Sequence, residues 1–157
     1  MSKNELIEHV EITDAPIELQ KWVDMASDDT AGAVSVFLGT TRDHYNGKKV
    51  LRLEYEAYES MAIKEMHKIV AKMRTKWELV HIVFVHRIGV VPVKEASVAI
   101  VVSSVHRREA MEACTYGIDE LKAHVPIWKH EFYEDGSEWK QNAEAQGHCH
   151  CTKTHDH

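Results

Sequence analysis

LKAHVPIWKHE, residues 121–131, sets two lysines, Lys122 and Lys129, on either side of a proline. A helical pattern runs up to it, and an extended, aromatic-rich pattern runs away from it. Pro126 lacks the N–H that a helix interior needs and biases Val125 away from helical dihedrals. The helix therefore ends here, with Lys122 on its last turns and Lys129 on the strand that follows. A strand advances roughly 3.3 Å per residue, so Lys129 lies about 10 Å of chain beyond the proline. Two long side chains flanking one corner can enter one pocket, and a cation near a helix C-terminus is favoured by the helix dipole. Two solvated surface lysines are the plain alternative.

Working back toward the N-terminus, Ala110, Cys114, Gly117, Ile118, Leu121 and Val125 share one face of a helix over about 106–124. Ser103 or Ser104 can cap it. ASVAIVVSS (96–104) carries no charge and reads as a strand, as does LVHIVFVHRIG (79–89), ended by Gly89. Ala62, Met66, Ile69, Val70, Met73 and Trp77 follow helical spacing. VLRLEYEAY (50–58) alternates, with Leu51, Leu53, Tyr55 and Ala57 on one side and Arg52, Glu54 and Glu56 on the other; this is a half-buried antiparallel strand. Before it, Asn46-Gly47 signals a hairpin turn. AGAVSVFLGTTR (31–42) has no charge until Arg42 and reads as a buried strand. Residues 5–12 read as a strand, and Asp14 with Pro16 can open a helix to about Met25. Toward the C-terminus, PIWKHEFYE (126–134) is the last expected strand. The half-buried strands, interspersed with helices, predict an α+β fold with a mixed or antiparallel sheet packed by helices.

The 157 residues fit one domain, expected over 1–140, followed by a polar Cys/His-rich tail over 141–157 expected to be disordered. Apolar residues make up 44% and charged residues 28%, an ordinary composition for a globular protein. The N-terminal segment lacks a signal-peptide core and no apolar run reaches spanning length, so a cytoplasmic protein is expected. A formal net charge of −6 argues against non-specific nucleic-acid binding and makes any basic cluster informative. Three cysteines, Cys114, Cys149 and Cys151, form no disulfide framework, and Cys114 falls in an apolar stripe.

Four constellations could carry chemistry. The lysine pair is the first: one lysine near other cations can act in proton transfer while its partner stabilises negative charge. His106, Arg107 and Arg108 are the second. They fall in a first helical turn, where cations oppose the dipole but an anion would be held by free N–H groups and basic side chains. Splaying into water, or pairing with Glu109 and Glu112, is equally open. The third is Arg42 at a strand end, a candidate phosphate clamp. The fourth is the tail, with His148, Cys149, His150, Cys151, His155 and His157. Its ligand types suit zinc or copper, but its dense spacing matches no standard zinc fold. Gly-rich phosphate loops, GxSxG and HExxH are missing from the sequence.

Together, GAVSVFLGTTRDHYNGKKVLRLEYEAYESMA, VHRIG, VVSSVHRREAMEA, IDELKAHVPIWKHE and DGSEW resemble the large, catalytic subunit of molybdopterin synthase, over about residues 5–140. The resemblance implies an α/β hammerhead-type fold and a homodimer within a heterotetramer. It implies a small ubiquitin-like partner whose C-terminal thiocarboxylate enters a pocket on this subunit. There sulfur passes to cyclic pyranopterin monophosphate, and two transfers form the dithiolene of molybdopterin for molybdenum cofactor biosynthesis. The enzyme itself needs no metal or other cofactor. Residue by residue, Lys122 would lie beside the thiocarboxylate, and Lys129 would assist proton transfer or charge stabilisation. Arg42, with Thr40 and Thr41, matches a substrate-contacting strand end. His106 and Arg107 match an anion-binding pair reaching a pocket shared with the neighbouring subunit. His130 and Glu131 line the same strand as Lys129, with His130 standing where some members carry another basic residue. The competing reading is a non-catalytic dimeric scaffold whose tail binds metal.

Overall fold

The computed structural model describes residues 5–141. The elements run β1 (Glu8–Thr13), α1 (Leu19–Ala26), β2 (Ala33–Thr40), β3 (His44–Tyr45), β4 (Lys48–Ala57), α2 (Glu59–Lys76), β5 (Ile82–Arg87), β6 (Gly89–Pro92), β7 (Ala96–Ser104), α3 (Arg107–His124), β8 (Ile127–Tyr133) and β9 (Gly136–Gln141). The first sheet has the order β1-β5-β7-β2, with β1 and β5 parallel and the other pairs antiparallel. The second is antiparallel. It runs β3-β4-β8-β9, with β6 also paired to β4. The α+β architecture agrees with the interspersed half-buried strands, and where a mixed or antiparallel sheet is expected the structure has one sheet of each kind.

Period-two alternation on the central strands sorts the core. Ile82 and Phe84 of β5, with Ile100 and Val102 of β7, face α2 and α3, which contribute Met66, Val70, Met73, Cys114 and Leu121. Val83, Val85 and Val101 face the opposite way, onto Trp22 and Ala26 of α1. Strands buried on both faces lose their alternation, which is why 79–89 and 96–104 read as continuous apolar runs.

Several expectations change in detail. The 31–42 stretch is not a fully buried strand. β2 lies at a sheet edge, and Val34, Val36 and Leu38 present an exposed apolar face beside α1. On β4 the alternation breaks at its start: a bulge between Val50 and Arg52 leaves Val50 buried and turns Leu51 outward. α1 begins at Leu19, because Thr13 Oγ1 accepts the Ala15 N–H in a local turn ahead of it. Neither serine caps α3. Ser103 Oγ accepts the His81 N–H, Ser104 Oγ donates to the Glu78 carbonyl, and His106 takes the N-cap position with no side-chain cap. Three short strands, β3, β6 and β9, add to those that the sequence pattern marks. The turn prediction holds: Asn46 and Gly47 both have positive φ, 49° and 75°, as the two-residue hairpin turn of opposite hand requires. The 142–157 stretch, with the Cys/His cluster, lies outside the described residues.

Candidate active site

A cavity of about 340 Å³ opens between the two sheets at the C-terminal end of α3. Each wall is delivered by an element whose end the sequence dictates. Pro126 stops α3 one turn after Lys122, and the chain leaves as β8. On β8, Lys129 and Glu131 share the inward face with Ile127 and Tyr133, paired across to Tyr55 and Leu53 of β4. Gly39 and Thr40 end β2, and Arg42 follows in the loop. Thr40, Arg42, Lys122, Lys129 and Glu131 all line this one cavity.

Glu131 organises the β8 wall. Its side chain is almost wholly buried, with Oε1 3.4 Å from Lys129 Nζ, while Oε2 accepts the Tyr133 hydroxyl. A buried carboxylate left unpaired is costly, so this arrangement holds the Lys129 ammonium against the wall. Deeper in, the Tyr55 hydroxyl donates to Ser97 Oγ at 3.3 Å, and Ser97 donates to the Gly39 carbonyl at 3.4 Å. Burial pushes the Tyr55 phenol above its usual value against the opposing Ser97 hydrogen bond, and the Glu131 charge adds to the rise. His86, edge-on to Tyr55 at 5.1 Å between ring centroids, is also part of the wall. Burial lowers its pKa to about 4, against a weaker upward pull from the Arg87 carbonyl.

Not every expected residue comes here. Thr41 is buried beside the cavity. Its backbone N–H donates to the Glu95 carbonyl and its carbonyl accepts the Lys94 N–H, so it anchors the end of β2 to the β6–β7 turn. His130 occupies the opposite face of β8, tilted against Phe132 at 4.2 Å, with the Arg52 guanidinium 3.9 Å over the Phe132 ring. His106 and Arg107 are exposed at the far end of α3. A helix rises roughly 1.5 Å per residue, so Arg107 stands about 22 Å along the axis from Lys122, too far to share its cavity within one chain. Arg108 takes the ion-pair alternative, with Nε 3.1 Å from Glu112 Oε1. Among the described residues no cluster of three or more His, Cys, Asp or Glu could hold a metal ion. His86, Tyr55 and Ser97 complete the wall without belonging to any of the four constellations. The available signal was a histidine in the inward register of the apolar stripe Ile82, Phe84, His86.

Arg42, Lys122 and Lys129 make this a cationic pocket in a chain of net charge −6, bordered by a buried carboxylate. A charge-assisted hydrogen bond contributes about 1.5–3 kcal/mol, so the three cations suffice to hold a small anionic ligand. Fold and site thus define an α+β protein with one inter-sheet cationic cavity, suited to anionic substrates. Comparison with known proteins places it: the profile of the family described as MoaE protein matches residues 12–124. A molybdopterin synthase catalytic subunit of Drosophila melanogaster is 53% identical over 142 residues, covering 88% of this chain and 39% of the relative. Molybdopterin synthase catalytic subunit 1 of Aedes aegypti is 48% identical over 151 residues, covering 94% of this chain and 95% of the relative. The solved molybdopterin synthase structure from Staphylococcus aureus superposes with a TM-score of 0.79 at 40% identity, over 83% of this chain and 95% of that one. The chain belongs to the MoaE family. It spans 39% of the length of the Drosophila relatives that it matches.

Proposed function

We propose that this protein is the catalytic subunit of a molybdopterin synthase, receiving sulfur from the C-terminal thiocarboxylate of a small ubiquitin-like subunit and passing it to cyclic pyranopterin monophosphate. The observation that carries this reading is the convergence of Lys122, Lys129 and Arg42 on one cavity in a MoaE-family chain. Both reactants are anionic, and the same cations serve both. Lys122, at the helix end, meets the thiocarboxylate. Lys129, held by Glu131, assists proton transfer or stabilises developing charge. Arg42 and Thr40 take the substrate phosphate. The described part of this chain offers no sulfur donor of its own in the pocket: Cys114 is buried, and burial pushes its thiol up, away from the reactive thiolate. Sulfur arriving on a partner fits that pocket. A Helicobacter pylori structure described as a complex of subunits 1 and 2 of molybdopterin-converting factor shares this fold, at a TM-score of 0.70 and 22% identity.

Residues 1–140 form the catalytic unit in this reading, the 141–157 tail is dispensable, and the protein works in the cytoplasm. No described helix is long and apolar enough to cross a membrane. The exposed apolar face of β2 suits a second copy of the chain, whose His106 and Arg107 would complete the anion site that one chain leaves open.

Reconstitution tests the proposal. The full chain, a thiocarboxylated ubiquitin-like partner and cyclic pyranopterin monophosphate are mixed and dithiolene product is assayed. Wild type is expected to form product, and Lys122→Ala to lose it by at least about a hundredfold while still binding the partner. Wild-type turnover by Lys122→Ala would remove Lys122 from the chemistry. No product from wild type with the partner bound would overturn the function.

A further inference from the structure

The cationic rim accounts for the recognition of negative charge and leaves the deeper wall of the cavity without a role. There, His86 ends a stripe of inward β5 residues whose other members, Ile82 and Phe84, are core hydrophobics. Its Nδ1 lies 2.8 Å from the Arg87 carbonyl oxygen. A carbonyl only accepts, so Nδ1 carries the hydrogen, and in a neutral imidazole Nε2 is then a bare acceptor. Among the described residues Nε2 has no protein hydrogen-bond partner, and His86 lines the cavity. Its polar neighbours are committed to each other: the Tyr55 hydroxyl to Ser97, and the Ser97 hydroxyl to the Gly39 carbonyl. The ring cannot swing away, because the Nδ1 bond and the Tyr55 contact hold it on two sides.

We propose that His86 is a specificity-determining residue whose Nε2 accepts a hydrogen bond from an N–H of the substrate's heterocycle, selecting a ring with donor edges over other phosphorylated molecules of similar charge. This rests on the proposed molybdopterin synthase reading and deepens it. A reduced pterin carries ring N–H and amino donors, while its phosphate is served by the cationic rim. Burial keeps the imidazole neutral near pH 7, where it remains an acceptor and adds no further positive charge to the pocket. A site built to pair a substrate N–H discriminates against ligands lacking it, because the buried acceptor is then left unsatisfied.

Calorimetric titration of the full chain with cyclic pyranopterin monophosphate and, separately, with inorganic phosphate tests this. His86→Leu removes the acceptor, and His86→Gln restores one on a side chain of similar reach. The expected result is a Kd for the pterin about tenfold weaker in His86→Leu, with most of the loss recovered in His86→Gln. Phosphate affinity should be equal in all three proteins. Equal pterin affinity in wild type and His86→Leu overturns the inference and leaves the enzyme reading standing. Failure of wild type to bind the pterin overturns both. Nitrogen NMR of wild type gives a measurement independent of whether the variants fold. The His86 Nε2 resonance should be that of an unprotonated acceptor at pH 7 and move upfield on pterin addition but not on phosphate addition. An unmoved resonance in the pterin complex defeats the assignment.

Discussion

His86 shows how one side chain can be costly for stability and useful in a site. Its folded pKa of about 4 lies below the ordinary 6.5, so the unfolded chain takes up a proton that the folded chain refuses. The unfolded state thus binds more protons between these values, and stability falls as pH drops from about 6.5 to about 4, while above that window the residue contributes no pH slope. At one pKa unit per 1.36 kcal/mol, the loss approaches about 3 kcal/mol at the acid end. Urea unfolding of wild type and His86→Gln at pH 7 and pH 4.5 checks it. The variant should lose less stability on acidification, and parallel losses would assign the acid sensitivity elsewhere. Glu131 is the counterpart: a buried carboxylate tolerable because Lys129 and Tyr133 meet its two oxygens. Lys129 was legible from the sequence as a cation after a proline. The Tyr133 bond to its partner Glu131 was not, since that rests on which face of β8 each residue takes.

At the scale of elements, α3 packs on β5 through Gly117. A Cβ there would sit 3.0 Å from Phe84 Cζ and 3.5 Å from Met73 Sδ. Alanine in a helix is favoured over glycine by up to about 1 kcal/mol, but Phe84 and Met73 are fully buried and cannot yield cheaply. Overpacking wins, so Gly117→Ala should destabilise by about 1–2 kcal/mol, read as a lower denaturation midpoint with an unchanged slope. A raised midpoint would show that the α3–β5 contact is looser than its geometry. Helices were readable because periodicity survives in them, as on the apolar faces of α2 and α3, and β7 was readable as a run without charge, buried on both faces. What failed depended on neighbours. The bulge that turns Leu51 outward is a property of the β4–β8 pair. The exposure of β2 follows from its edge position, which no residue in 31–42 announces. In the site, Arg42, Lys122 and Lys129 were legible from chain ends, while Thr40 and Glu131 followed only from the family resemblance; all five line the cavity. His130 fell on the wrong face by the same alternation, and His106 and Arg107 were separated from the lysines by the length of α3.

For the whole molecule, the separation of Arg107 from Lys122 becomes a prediction about assembly. If each cavity takes Lys122 from one copy and Arg107 from the other, two inactive homodimers should complement. Mixing Lys122→Ala with Arg107→Ala after subunit exchange should restore activity to a mixed dimer with one intact site, and single-variant controls should stay inactive. A mixture that remains inactive despite exchange would confine each site to one chain. If the exposed face of β2 holds the second copy as proposed, Val36→Asp should leave a monomer where wild type sediments as a dimer, with secondary structure retained. Pairing in the second sheet carries a different consequence. β4 receives β8 with Tyr55 opposite Lys129, two positions far apart in the chain. During synthesis, β4 emerges from the ribosome well before β8 exists, and one of its edges stays bare for that interval. A bare edge invites other strands. The stretch that builds this cavity wall is therefore also one that covers the nascent chain against aggregation, and truncation before residue 127 should yield insoluble product rather than a smaller folded protein.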